Sequence, residues 1–321
     1  MRQKLSVLFV VAALLFTAAC GSDSDDSAAK SKSTSGNIKD VKITGDVGAA
    51  PTVKIDTPFK VKKASSEELA KGSGTALASG QAALVHLSLK NGTSGKAIGS
   101  TYDQGVPTAI TLNPSQMPAS LAKALEGKQK GSRVALAAPA KDLYGTEGNA
   151  SLKVKATDSL VIVVDIVAVQ AANALKGPKG ATTAAPADAP KIVKKAGKIT
   201  SLDFSKAPKK ASKKLKVITL VKGTGPKVGK SLVTIDYLGQ VYGQKKAFNN
   251  TYAAGAPAPF ALGYGAVIPA WDKSLVGLPI GSRVMIIAPP SEAYGAQGSP
   301  EGGIPKNATL VFVVDILGAS E

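Results

Sequence analysis

From Val85 to Ile166 this chain repeats itself at a constant offset of 150 residues, with no gap in the register. Val161-Ile-Val-Val-Asp-Ile166 returns as Val311-Phe-Val-Val-Asp-Ile316, and Gly131-Ser-Arg-Val134 as Gly281-Ser-Arg-Val284. Thr101-Tyr102 returns as Thr251-Tyr252, and Tyr144-Gly145 as Tyr294-Gly295. A repeat of this length requires two domains of one fold. The copies differ in one direction. Leu87, Ile98, Leu121 and Ile162 in the first become Tyr237, Phe248, Trp271 and Phe312 in the second. Aliphatic residues suffice to fill a core. In a chain with 5% aromatics, four gained together point to a pocket built in the second copy alone.

The N-terminus reads as an export signal. Arg2 and Lys4 precede the apolar run Leu5–Phe16, followed by Thr17-Ala-Ala-Cys20. That is a charged start, a short apolar stretch and a small-residue cleavage site. The stretch is too short to span a bilayer as a mature helix. The sole cysteine, Cys20, stands at the junction, which resembles a bacterial lipoprotein signal. That resemblance implies lipid on Cys20 and a membrane-anchored, exported chain; Thr17 departs from the leucine usual there. An ordinary secretory signal is the other reading.

Composition narrows the chemistry. With Cys20 used, no thiol remains for a disulfide or a nucleophile, and His86 is the only histidine. A His-based triad or a zinc site would need more ligands than the chain has, so no cofactor and no metal are expected. His86 and its counterpart Asp236 sit in alternating strand patterns and are expected to face solvent. The net charge of +18 comes from lysine, with three arginines in the chain. Lysine without interleaved aromatics argues against nucleic-acid binding. It fits a solvated surface near anionic lipids or wall polymers.

The chain divides into a signal (1–19), a Ser/Asp/Lys-rich disordered tether (20–36) and a first domain (37–170). An Ala/Pro/Gly linker (171–190) and a second domain (191–321) follow. In the second domain, β-branched runs predict strands at 215–221, 231–237, 283–288 and 308–317. Pro269 and Gly277 bracket a short helix carrying Trp271 and Leu275 on one face. Pro118, Leu121, Leu125 and Gly127 repeat it. The expected class is α+β, β-rich: in each domain a curled antiparallel sheet of about five strands around one short helix. Gly223-Thr-Gly-Pro-Lys-Val-Gly-Lys-Ser231 is no phosphate loop, because its glycine spacing is wrong and Ser231 opens a strand.

Large apolar residues spread one per element fit a core as well as a cleft. The decision comes from resemblance. Val267-Ile-Pro-Ala-Trp271, Ala293-Tyr-Gly-Ala-Gln-Gly298 and Ile304-Pro-Lys-Asn-Ala-Thr-Leu-Val-Phe312 resemble, in this order, the FKBP-type peptidyl-prolyl cis–trans isomerases. Tyr237-Leu-Gly and Gly243-Gln-Lys-Lys-Ala-Phe248 belong to the same pattern. The first domain resembles a degenerate member. The resemblance implies a site made of Tyr237, Phe248, Asn249, Val267, Ile268, Trp271, Tyr294, Ile304 and Phe312. In it, Trp271 is the floor, Tyr237, Phe248 and Phe312 are the walls, and Val267 and Ile268 form the helix-side rim. Tyr294 is aimed at a substrate carbonyl, Ile304 lies on the opposite flap, and Asn249 stands where the family has an aspartate. Proline-containing polypeptides and macrolides are the implied ligands. Asn249, Ala254 and Ala258 depart from the pattern and favour a rival, a proline-peptide binder without turnover. A second rival, which rests on the lysine content, is a lysine-rich envelope-binding lipoprotein.

Overall fold

The computed structural model describes residues 36–320. The signal, Cys20 and all but the last residue of the tether lie outside them. The chain forms two compact units that meet at Val169/Gln170. In the first, β1 (Lys42–Thr44), β2 (Thr52–Lys54), β3 (Ser65–Ala70), β4 (Ala82–Asn91), β5 (Ala97–Ser100) and β6 (Thr108–Thr111) precede helix α1 (Ala119–Leu125). Strand β7 (Arg133–Pro139), helix α2 (Ala140–Tyr144) and β8 (Ser159–Val169) complete it. The second begins with β9 (Gly180–Thr182), β10 (Lys191–Lys195), β11 (Lys198–Asp203), β12 (Lys216–Gly223), β13 (Ser231–Val241) and β14 (Ala247–Asn250). It continues through α3 (Thr251–Ala254), β15 (Ala258–Leu262), α4 (Pro269–Leu275), β16 (Arg283–Ala288) and β17 (Leu310–Ala319).

Both main sheets are antiparallel and share one order. The first runs β3-β7-β8-β4-β5 with β6 beside β4; the second runs β14-β13-β17-β16-β12-β9 with β15 beside β13. His86 faces Asp165 in the first as Asp236 faces Asp315 in the second. The two sheets are thus one fold in matching register. Helix α4 starts with Pro269 at its first turn and buries Ala270, Trp271 and Leu275 against the sheet. Gly277, at φ +88°, makes the left-handed turn that leaves it. In the first unit Pro118 is not the first helical residue but the cap before it. Among the described residues no helix is long and apolar enough to cross a membrane.

Each sheet is covered on both faces, which the strand patterns did not lead us to expect. On the inner face of the second unit, Val233, Ile235, Val284, Ile286, Val314 and Ile316 pack with Trp271 and Leu275. On the outer face, Met285, Ile287, Val311 and Val313 meet Ile199 and Leu202 of the β10–β11 hairpin, with Ile218 and Leu220. The first unit does the same with Ile38, Val41, Phe59 and Val61 over Ala135, Ala137 and Val161. A strand buried on both faces is apolar throughout rather than alternating, and β17 is buried from Leu310 to Gly318. Each large side chain so buried contributes about 1.5–3 kcal/mol before chain entropy is counted.

Under the first unit's hairpin lies an ion pair. Arg133 is 2% exposed. Its Nε and Nη2 donate to the two oxygens of Asp165 at 2.6 and 2.7 Å. Its Nη1 donates to the carbonyl of Gly45, and Nη2 also to those of Asp46 and Ala49. The Gly48 amide donates to Asp165 at 2.6 Å. The loop joining β1 to β2 is therefore tied down by one guanidinium and its carboxylate. His86 does not face solvent as expected. It is half-buried in this layer, stacked on Tyr102 with ring centres 4.5 Å apart, and its Nδ1 is 3.0 Å from Thr101 Oγ1. Burial lowers its pKa, against the pull of Asp165. In the second unit Arg283 pairs with Asp315 at 2.6 Å, and the Tyr252 ring lies by the guanidinium.

Residues 171–190, read as a linker, are not bare chain. The Leu175 amide donates to Leu317, the Lys179 amide to Gly281, and β9 pairs with β12. Without β9, β12 would present an open edge.

Candidate active site

Five aromatic residues from five elements meet at one end of α4. Tyr237 comes from β13, Phe248 from β14, Phe260 from β15, Trp271 from α4 and Phe312 from β17. Trp271 makes edge-to-face contacts with Tyr237 at 5.0 Å, Phe260 at 4.9 Å and Phe312 at 5.5 Å. Tyr237 also meets Phe260 at 5.6 Å, and Phe248 meets Phe312 at 5.9 Å. Such pairs contribute about 0.5–1.5 kcal/mol each beyond their burial. Trp271 is 4% exposed, and its Nε1–H is buried without a hydrogen-bond partner. Phe312 and Ile304 are also buried, while Tyr237, Phe248 and Phe260 are half-buried. The rings thus form a sealed floor with half-open walls.

The rim is built from three segments. Val267 and Ile268, half-buried against the cluster, lead into α4, where Ile268 accepts from the Trp271 amide. Asp272 accepts from the amides of Gly263 and Gly265 at 2.7 and 2.9 Å, which sets the turn between β15 and the helix. On the other side, between β16 and β17, Ser299 and Ile304 exchange two backbone hydrogen bonds of 2.9 Å that close a turn following Tyr294, whose carbonyl accepts from the Gly298 amide. Lys273 reaches Glu292 at 2.7 Å, from the helix to the foot of that loop. Lys273 is largely exposed, so the pair adds little stability.

Tyr294 is 39% exposed. Burial pushes the Tyr237 phenol up to about 12, with the Tyr294 phenol adding to it. Burial also raises Tyr294. Both are neutral hydroxyls at physiological pH. Among the described residues no group of three or more His, Cys, Asp or Glu could hold a metal ion.

The structure brings Tyr237, Phe248, Val267, Ile268, Trp271, Ile304 and Phe312 together, with Tyr294 at the rim. Asn249 stands apart. It is exposed and pairs in register with Gly239, whereas its neighbour Asn250 makes the polar contacts. The pairing of β13 with β14 shifts register here, so that Phe248 has no partner between Ala247 and Asn249, and Asn249 comes out exposed while Phe248 packs in the cluster.

Two residues escaped the sequence reading of the site. Phe260 touches both Tyr237 and Trp271, and its counterpart is Ile110. Gly239 lies under the walls: a Cβ there would be 2.5 Å from Phe248 Cζ and 3.0 Å from Phe312 Cε1. Its counterpart is Leu89. The same comparison that singled out Trp271 held both. In the first unit Leu87, Leu89, Ile98, Ile110, Leu121 and Ile162 fill the equivalent space with aliphatic carbon.

A family model of the FKBP-type peptidyl-prolyl cis-trans isomerases matches residues 74–167 and 223–317, more than half of the chain. The chain belongs to that family, once in each unit. The chain is 45% identical over 94 residues to FK506-binding protein 1 of Debaryomyces hansenii, covering 29% of this chain and 81% of that one. Over 101 residues it is 39% identical to the FKBP-type peptidyl-prolyl cis-trans isomerase FkpA of Escherichia coli K12, covering 32% of this chain and 35% of that one. A 39 kDa FK506-binding nuclear protein of Drosophila melanogaster is 39% identical over 114 residues, or 35% of this chain. The chain spans only 31% of that relative's length, and 23% of that of a 46 kDa counterpart from Spodoptera frugiperda. The crystal structure of FkpA from Escherichia coli aligns with a TM-score of 0.31 at 36% identity, covering 35% of this chain and 51% of that one.

Proposed function

We propose that the second unit isomerises X–Pro peptide bonds in exported polypeptides, and that lipid on Cys20 holds the protein at the membrane. The observation that carries the catalytic part is the aromatic cluster around Trp271, present in one unit and replaced by aliphatic carbon in the other. Cys20 lies outside the described residues, and the anchor rests on the sequence around it.

The chemistry asks for little else. The barrier to rotation is amide resonance, ~18–20 kcal/mol. No bond breaks, so neither nucleophile nor acid–base pair is required. As the C–N bond twists, the amide loses charge separation, and water favours the planar form over the twisted one. A dry aromatic floor removes that preference while gripping the proline ring. Trp271 is the floor, and Tyr237, Phe248, Phe260 and Phe312 are the walls. Tyr294, a neutral donor at the rim, is placed to meet a carbonyl of the bound chain. The first unit, with Leu121 as floor, serves as structure or as a holder of unfolded chain. A macrolide of the FK506 class, which gives several relatives their names, would compete for the second unit's cleft.

The test is isomerase turnover of a proline peptide by the full chain and by Trp271→Leu, which copies the first unit's residue. The substitution is expected to leave the fold intact and to lower kcat/KM about tenfold or more, roughly 1.4 kcal/mol of transition-state stabilisation. Trp271 is the only tryptophan, so peptide binding should also change the parent's fluorescence. A folded Trp271→Leu protein with undiminished turnover would place the cleft elsewhere. A parent that binds the peptide without turnover would make the site a binding module.

A further inference from the structure

From the end of β11 to the first residue of β12, six lysines fall within eleven residues: Lys206, Lys209, Lys210, Lys213, Lys214 and Lys216. All six are exposed, and no acidic residue interrupts them. The segment is held in place. Phe204 packs on Tyr242 with ring centres 4.9 Å apart, and the Tyr242 hydroxyl donates to the Pro208 carbonyl at 2.8 Å. Tyr242 leads directly into the turn bearing Lys245 and Lys246, also exposed. Val217, next to Lys216, is 42% exposed. The first unit has no such feature. Its counterpart, residues 56–66, holds Asp56 and three lysines.

From this we infer that the Lys206–Lys216 segment is a docking ridge for an anionic lipid bilayer, separate from the aromatic cleft. Like charges crowded on an ordered segment repel one another, and an apposed anionic surface relieves that repulsion. The ridge carries no arginine to fork onto a phosphate and no exposed ring to stack on a base, so stereospecific readout of a nucleic acid is not its use. Ammonium groups attract a headgroup layer as point charges, about equally at any lateral position. An exposed valine beside them suits a surface with apolar depth, which a dissolved polyanion does not offer.

The test uses residues 21–321, which keep every described element and omit the apolar leader. The protein is sedimented with phosphatidylcholine vesicles containing about one third phosphatidylglycerol, and with phosphatidylcholine alone, at low salt and at about 0.5 M salt. We expect binding to the anionic vesicles alone, lost at high salt. Substituting Lys209, Lys210, Lys213 and Lys214 together by Gln should weaken it at least roughly tenfold. The same four-charge loss at Lys39, Lys42, Lys54 and Lys63, exposed lysines of the first unit, should leave most of it. Isomerase turnover of both variants should match the parent and so certify their fold. Failure of the parent to bind, or equal weakening by the two variants, would overturn the ridge. Tighter binding of soluble poly-glutamate than of vesicles at matched charge would also overturn it, reassigning the segment to acidic polypeptide.

Discussion

Gly239 shows how a single missing side chain leaves room for two rings, Phe248 and Phe312. The first unit places Leu89 between Ile98 and Ile162; the second places nothing between Phe248 and Phe312. Volume moved from the strand to the walls. Gly239→Ala should therefore displace both rings, costing about 1–3 kcal/mol of stability and lowering kcat/KM about tenfold. Denaturant unfolding and peptide turnover measure the two effects. Installing the first unit's full trio, Gly239→Leu with Phe248→Ile and Phe312→Ile, should recover stability without recovering turnover. Tyr237 sets an alkaline limit. With its phenol held up to about 12 in the folded chain against about 10 unfolded, its contribution to stability is complete below pH ~10. It declines as pH rises from there through about 12, because the unfolded state loses its proton first. Urea midpoints across that range should fall less steeply for Tyr237→Phe.

Among the elements, the hairpins that cover the sheets are the ones sequence reading missed. The strands of the second unit were legible because β-branched runs end at glycine or proline, and α4 because Pro269 and Gly277 bracket it. Hairpin β1–β2 holds three residues a side, with Ile43 and Val53 the apolar ones, too little pattern to stand out from a tether. The signal lay instead in the strands beneath: Leu310–Ile316 is apolar at every position but Asp315, a run that needs cover on two faces. His86 was misread for the same reason, since alternation exposes a side chain only where one face is wet. For Asn249 the resemblance fixes the position along β14, whereas the irregular pairing at Phe248, which leaves Asn249 exposed, is not legible in the sequence. The β1–β2 loop offers its own test. Arg133→Lys keeps the charge but cannot reach Asp165 and the carbonyls of Gly45, Asp46 and Ala49 together. The loop should then exchange its amide hydrogens much faster, with Gly48 foremost, while β7 and β8 stay protected.

At the scale of the whole molecule, the duplication separates tasks that one domain would have to combine. The first unit keeps the fold without the rings; the second keeps the rings and adds the lysine segment. On the proposed function, the lipid anchor belongs to Cys20, outside the described residues. Cys20→Ser should shift the protein from the membrane to the soluble or secreted fraction, or leave it unprocessed. Fractionation at about 0.5 M salt, which releases the lysine segment, with a blot for the chain decides this, and unchanged membrane partition there would refute lipid as the anchor. The double cover of each sheet also bears on how the two copies could drift apart. A strand with one wet face can change every second residue at little cost. A strand enclosed on both sides has fewer such positions, and a change there keeps its apolar character, as Ala135, Leu136 and Ala137 of β7 do against Met285, Ile286 and Ile287 of β16. Between Val161–Ile166 of β8 and Val311–Ile316 of β17 one residue differs, and it is Ile162 against Phe312, a ring of the aromatic cluster.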